Sequence, residues 1–582
     1  MFRPQRTSTP FLLLLIIATL SAAALPNRSA SAAAGPVLSV DSGADQRPIS
    51  PLIYGMNFAG EALAQDLRLP ANRWGGNATT RYNWQNDTSN RASDYFFENI
   101  PNDNPNPGAL PNGSASDLFV EQNRRTNTET LMTVPLIGWT PKSRKIGHPY
   151  DCGFKVSKYS AQQSVDPYDT DCGNGYHQNG APITGNDPAD TSAAIGPAFV
   201  QDWVRHLIGR YGTAAQGGVR YYNLDNEPGL WDSTHRDVHP ARPTYDELRD
   251  RTFEYAAAIK ATDPDALTLG PVQDGWTRYF YSSYSTYPDT AAQQDRASHG
   301  NTPFVEWYLQ QMAAYQQANS ARILDYFDLH YYPQANGVAL APAGNAATQA
   351  LRLRSTRALW DPSYVDESWI PSTGEATAVD GAGVNGAVQL IPRMRDWVAN
   401  NYPGTQLAIS EYNWGALDSM NGALAQADVL GIFGREGLDL ATLWDPPASG
   451  QPGAFAFRMY RNYNGQGGAF GDTSVRASSA DQAQLAIYAA RRGADGALTL
   501  MIINKSAASL ISQVNLAGFQ SSGLAQVYRY SAADAQQIVK QPDQPVGSSF
   551  SATFPANSIT LMALPKLSTP LTPRVDLPLI RR

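Results

Sequence analysis

Residues 219–240 read VRYYNLDNEPGLWDSTHRDVHP. The first six combine aromatic and β-branched residues in the manner of a buried strand, and they run straight into Asp225-Asn226-Glu227-Pro228, where the proline ends any continuation of the ladder. A glutamate is thereby held at the end of a strand. In a parallel α/β barrel that station carries the catalytic groups, so Glu227 is the first candidate for general acid/base chemistry.

Working outward, apolar segments at 51–58, 67–74, 131–139, 219–224, 267–272, 323–332, 406–410 and 440–444 alternate with helical stretches, clearest at 197–211, 245–261, 303–318 and 388–400. Such alternation predicts an α/β fold, a (β/α)8 TIM-like barrel over residues 50–451. No G-x-G-x-x-G follows the first strand, which argues against an open dinucleotide-binding sheet. Polar insertions at 141–191 and 333–386, rich in Gly, Pro, Asn and Asp, are too long for connectors and read as walls of a cleft. Beyond 452 the pattern changes to short strand-like runs at 454–460, 484–490, 497–504, 525–531 and 558–563, an all-β sandwich over 452–565. Residues 35–49 add an N-terminal strand to it.

The ends are of another kind. Arg3 and Arg6, an apolar run at 11–20 and small residues up to 34 have the layout of a secretory signal peptide, so 1–34 is set apart from the fold. Residues 566–582, proline-bearing and without periodicity, read as a disordered tail. No other stretch is apolar enough to span a membrane, so the mature chain is expected in solution, secreted, as a monomer. Only 16% of residues are charged and the net charge is −8, which excludes the basic face of a nucleic-acid binder. Aromatic residues reach 10%, which suits neutral, stackable ligands such as sugars, although large cores also consume Trp and Tyr. The two cysteines, Cys152 and Cys172, share one insertion and are expected to pair as a structural staple.

Hydrolysis of a glycosidic bond by Glu227 needs a second carboxyl group. Glu411 supplies the candidate, at the end of the seventh strand as Glu227 is at the end of the fourth. Among their neighbours, Asn226 can donate to a sugar 2-hydroxyl, and Arg73 and Tyr331 can hold Glu411 ionised. Glu227 needs a raised pKa, expected from Glu411 and from burial. Trp74, Trp139, Trp231, Trp414 and Trp444 lie at or just past strand ends, where a ring can stack on a pyranose or simply pack in the core. His235 and His239 have the i, i+4 spacing of a helical zinc site but lack the glutamate of H-E-x-x-H. Two acidic loop groups, Asn186, Asp187 and Asp190 and then Asp166, Asp169 and Asp171, offer oxygens for a structural Ca2+, or are merely solvated; no cofactor is required by the chemistry.

The segment 222–231, with Thr234-His235 and His239-Pro240 after it, closely resembles the acid/base segment of glycoside hydrolase family 44, and Ser410-Glu411-Tyr412-Asn413-Trp414 resembles its nucleophile segment. Residues 72–77 and 135–139 add to the likeness. The resemblance implies a TIM-like barrel with a β-sandwich built from both chain ends, retaining endo-action on β-1,4-glucans such as cellulose derivatives and xyloglucan, Glu227 as acid/base and Glu411 as nucleophile. Two other readings stay open: a β-mannanase or xylanase of the same type, and a carbohydrate-binding scaffold without turnover.

Overall fold

Eight parallel strands close a barrel in the computed structural model, which describes residues 32–285, 288–379 and 383–567. They are β1 (Gly55–Asn57), β2 (Ala71–Trp74), β3 (Glu129–Val134), β4 (Tyr221–Leu224), β5 (Leu267–Gln273), β6 (Tyr326–Tyr331), β7 (Gln406–Tyr412) and β8 (Leu440–Leu443), with β8 pairing back onto β1. Each overlaps one predicted segment. Strands β4, β6 and β8 are buried throughout because one set of side chains fills the barrel and the other meets the helices.

Inside, the barrel changes character along the strands. Leu131, Tyr221, Leu269, Tyr326, Ala408 and Leu440, one from each of β3 to β8, form an apolar plug of their own. Two residues further along β4 and β6 the inward positions are Asn223 and Asp328, joined by a 2.6 Å hydrogen bond from Asn223 Nδ2 to Asp328 Oδ2. Asp328 Oδ1 accepts from the Ser410 backbone N–H at 2.9 Å. A polar layer thus rests on a dry floor, and the candidate site rests on that layer.

The second domain is β-rich and has two apolar faces. Its central strands Leu485–Arg491, Leu498–Asn504 and Ser558–Leu564 are almost wholly buried. Leu485, Ile487, Leu500 and Ile502 point into the sandwich core with Leu38, Val514 and Phe554. Their neighbours Ala486, Tyr488, Met501 and Ile503 join the barrel's core instead. A buried ion pair ties the two domains: Lys505 Nζ lies 2.6 Å from Asp428 Oδ2, on helix Met420–Glu436, and Asp428 Oδ1 accepts from the Tyr488 hydroxyl at 2.7 Å. Strand Leu38–Asp41 lies between Leu510–Ala517 and Thr473–Ser479.

Three expectations need correction. Residues 454–460 are not a strand: Pro452–Arg461 is a helix that packs on Met420–Glu436, so the barrel's chain runs on past 451. Its Ala-Phe-Ala-Phe alternation imitates a strand because nearly every side chain is buried, which erases the helical stripe. Ala33–Ala34, assigned to the leader, pair in parallel with Leu510 and Ile511. Lys566 and Leu567, assigned to the tail, make contacts with Ser521 and Gln520. Residues 1–31 of the leader and 568–582 of the tail lie outside the described residues.

The insertion after β3 pairs Asp151–Cys152 with Glu98–Pro101 from an insertion after β2, and Cys152 and Cys172 form a disulfide. Among the described residues no helix is long and apolar enough to cross a membrane.

Candidate functional site

Arg73 is the hub of the barrel mouth. It is the last residue but one of β2, points inward and is completely buried. Its Nε donates to Asn223 Oδ1 at 2.9 Å, Nη1 to Asn57 Oδ1 at 3.0 Å and to Glu411 Oε1 at 2.7 Å, and Nη2 to Asn226 Oδ1 at 2.9 Å. Such a fork fixes four acceptors in one geometry. The two glycines that follow are dictated by close approach. A Cβ on Gly75 would sit 2.2 Å from Arg73 Nη1, and one on Gly76, at φ +83°, would sit 2.5 Å from Trp444 Cη2.

Glu411 ends β7 as a clamped carboxylate. Besides Arg73, the Tyr332 hydroxyl donates to its Oε2 at 2.9 Å. A buried ion pair of this kind is costly to break, about 3–5 kcal/mol when one partner is removed. Glu227 has no cation in contact. Its backbone adopts the left-handed conformation, φ 48° and ψ 53°, which costs a non-glycine residue on the order of 1 kcal/mol. Four bonds hold the turn: the Glu227 N–H donates to Val272 O at 3.0 Å, and buried Asp225 accepts from the Leu136 and Ile137 N–H groups and the Thr80 hydroxyl.

Burial raises the Glu227 pKa to about 8; the charge of Asp274 adds to the rise, and Arg73 and Arg278 oppose it. Asp274 was not anticipated from the sequence. It lies just past β5 and is tied to Arg278 at 2.9 Å.

Between the two glutamates stands His330, fully buried on β6. Its Nδ1 lies 2.9 Å from Glu227 Oε1 and 3.5 Å from Glu411 Oε2, and its Nε2 lies 3.1 Å from Ser410 Oγ. Burial lowers its pKa, so the neutral ring is favoured. Glu227, His330 and Glu411 present one atom each within 4.8 Å of one another, a spacing that a metal ion could use. The Arg73 guanidinium already neutralises Glu411 there, and a divalent cation would stand against it.

The other predicted residues divide. Asn226 is in place: its Oδ1 also accepts from the Gly76 N–H at 3.1 Å, and its Nδ2 donates to Asn77 at 3.2 Å, leaving one N–H for a ligand. Trp444 and Trp139 are half-buried past the ends of β8 and β3, available to a sugar. Trp74 is not, because the strand's alternation turns it outward onto Tyr82 and Phe119. Trp414 is fully buried, donating to Ser355 Oγ at 3.2 Å, and Trp231 is likewise core. Tyr331 points away from Glu411, against the Trp414 ring, and Tyr332 takes the role expected of it.

Neither ring nitrogen of His235 has a hydrogen-bond partner, while His239 Nε2 lies 2.9 Å from Glu247 Oε1; the two form no metal-binding group among the described residues. Of the loop groups, Asp171 accepts from Ser157, Asp187 caps a short turn, Asp190 pairs with Lys158 and Tyr159, and Asn186 donates to Asp237 O.

Comparison with known proteins identifies the family. A model of glycoside hydrolase family 44 matches residues 88–335. CelM2, a bifunctional glucanase-xylanase protein from a metagenome library, superposes with a TM-score of 0.84 at 41% identity, over 92% of this chain and 99% of its own. A Paenibacillus polymyxa xyloglucanase of family 44, solved with xyloglucan, gives 0.75 at 30% identity, over 91% and 99%. A β-mannanase/endoglucanase A of Caldicellulosiruptor saccharolyticus is 30% identical over 491 residues, 81% of this chain; the chain spans 34% of that protein's length.

Proposed function

Because the chain belongs to glycoside hydrolase family 44, we propose that it is a secreted retaining endo-β-1,4-glucanase acting on cellulose-type chains and xyloglucan. It is a glycoside hydrolase of that family, which sets aside the scaffold without turnover. The observation that carries the mechanism is the pairing of two unlike glutamates whose nearest oxygens stand within 4.8 Å. That spacing falls on the side of the roughly 5–5.5 Å carboxyl separation used in double displacement, and short of the roughly 6.5–9.5 Å that leaves room for a water in inversion.

In the first step an oxygen of Glu411 attacks the anomeric carbon while Glu227, protonated below pH 8, gives its proton to the departing glycosidic oxygen. Arg73 and Tyr332 hold and aim Glu411; the free N–H of Asn226 suits the 2-hydroxyl of the bound sugar. In the second step Glu227, now a carboxylate, takes a proton from the water that breaks the glycosyl ester. His330, touching both glutamates, holds them in register through the change of charge.

Export is supported by the leader-like sequence ahead of Ala33 and by the disulfide, which suits an oxidising compartment. Xylan is the second reading, favoured by the 41% identity to a glucanase-xylanase. Reducing-sugar release from carboxymethylcellulose, xyloglucan, xylan and mannan by purified protein tests the substrate. Turnover of the glucans is expected to lead. Activity confined to mannan would overturn the proposal.

A further inference from the structure

The ring of His330 is held on its far side as well as between the glutamates. Its Nδ1 lies 2.9 Å from Glu227 Oε1, and its Nε2 lies 3.1 Å from Ser410 Oγ. Ser410 stands one residue before Glu411 on β7, and both it and His330 are 0% exposed. The barrel fixes its backbone from two sides: the N–H donates to Asp328 Oδ1 at 2.9 Å, and the carbonyl accepts from Asn57 Nδ2 at 3.1 Å and from the Thr442 hydroxyl. Among the described residues, the Ser410 hydroxyl has one hydrogen-bond partner, His330 Nε2.

A neutral imidazole carries one ring proton, and its neighbours decide which nitrogen bears it. With that proton on Nε2, ring and hydroxyl would both present hydrogens to each other, and the buried Ser410 O–H would be left without an acceptor, a state that folded proteins avoid. An imidazolium would orphan the hydroxyl in the same way, and burial already disfavours that charge. With the proton on Nδ1 every hydrogen is used: the Ser410 O–H donates to Nε2, and Nδ1–H donates to Glu227 Oε1. Oε1 can accept that bond in either charge state, as the carbonyl oxygen of the acid or as a carboxylate oxygen. The acid's own proton is then confined to Oε2, on a side chain that keeps 14% of its surface exposed.

We propose that Ser410 is a positioning residue for the acid: by donating to His330 Nε2 it fixes the Nδ1–H tautomer, which keeps the transferable proton of Glu227 on Oε2, toward the glycosidic oxygen. The inference rests on the reading of Glu227 as the acid/base. Without the Ser410 hydroxyl the ring is free to hold its hydrogen on Nε2. Nδ1 then becomes an acceptor and draws the Glu227 proton to Oε1, away from the substrate. In the second step the same Nδ1–H is a charge-assisted donor to the Glu227 carboxylate and steadies the base. The charges that face this pair are Asp328 on the strand of His330, Glu411 and Arg73 from β7 and β2, and Asp274, Arg278 and Asp94 around Glu227. Ser410→Ala leaves all of them in place.

Nitrogen NMR of the full chain labelled at its histidines reads the tautomer, with His330 assigned by the signals missing from His330→Asn. At neutral pH the wild-type ring is expected to carry its proton on Nδ1, and Ser410→Ala should shift it toward Nε2. Kinetics give the second readout. Ser410→Ala with native circular dichroism should lower kcat/KM on xyloglucan by about 10–100-fold, yet leave the phenolate burst from an aryl cello-oligosaccharide within about threefold, since that leaving group needs no proton. Its alkaline limb should move up from about 8, because an Nδ1 that accepts from the acid favours the protonated form. Ser410→Thr, which keeps the hydroxyl, should restore tautomer and limb. A wild-type ring protonated on Nε2 would overturn the proposal. So would a folded Ser410→Ala that keeps both the tautomer and the limb, or one that loses the aryl burst as fully as xyloglucan turnover. Wild-type turnover by Glu227→Gln would bring down the reading of Glu227 as well, whereas the tautomer outcomes bear on Ser410 alone. Should the variants fail to fold, the wild-type tautomer decides.

Discussion

The ends of β4 and β7 carry the same side chain at the same station, and the chain gives the two opposite surroundings. Glu411 is gripped by a guanidinium at 2.7 Å and a phenol at 2.9 Å. Glu227 is half-buried with a histidine in contact and with Asp274 near it, conditions that favour the acid. In the proposed mechanism environment, not residue type, divides the labour between nucleophile and proton donor.

The comparison is broken most severely at Glu411. Glu411→Gln should lower turnover on every glucan by about 10^4-fold or more, because no other group forms the glycosyl ester. Glu227→Gln should cost about 10^2–10^4-fold on polysaccharide but spare the first step on an aryl cello-oligosaccharide, whose phenolate departs without a proton. Stopped-flow mixing should then show one equivalent of phenolate released in a burst before a slow steady state. If the two variants behave alike, the division of roles is wrong.

Smaller changes sharpen the contrast. Tyr332→Phe removes a charge-assisted bond to Glu411 and should lower kcat by about 10–100-fold. Tyr331→Phe, whose hydroxyl has no hydrogen-bond partner, should leave kcat within about twofold, since nothing at the site touches it. The least effect is expected from Asp274→Asn, read as a pH profile of kcat/KM. Asp274 raises the Glu227 pKa, so removing its charge lets Glu227 lose its proton at lower pH. The alkaline limb, expected near 8 in the wild type, should move down while the acid limb stays.

Much of this was legible in the sequence, and the failures share a cause. The eight strands could be located because strands covered on both faces form apolar runs bounded by turn residues, and both glutamates stood where such runs end. What a fully buried strand hides is parity. In Tyr326–Tyr331 every residue is buried, so no polar alternation says which of two adjacent tyrosines faces the interior, and a register shift between Leu329 and His330 alters the count. The same ambiguity turned Trp74 and Trp414 into core residues and left His330, next to Tyr331, unnoticed. The Gly-Gly pair behind Arg73, which marks a close approach, is a signal independent of parity.

The central claim is that two glutamates, one clamped as an anion and one held as an acid, cleave a β-1,4 bond by double displacement. Proton NMR of the anomeric region during the first minutes of xyloglucan or cello-oligosaccharide hydrolysis tests it most directly. The account predicts that the β-anomer of the new reducing end appears first and mutarotates to the mixture afterwards. Initial appearance of the α-anomer would contradict it.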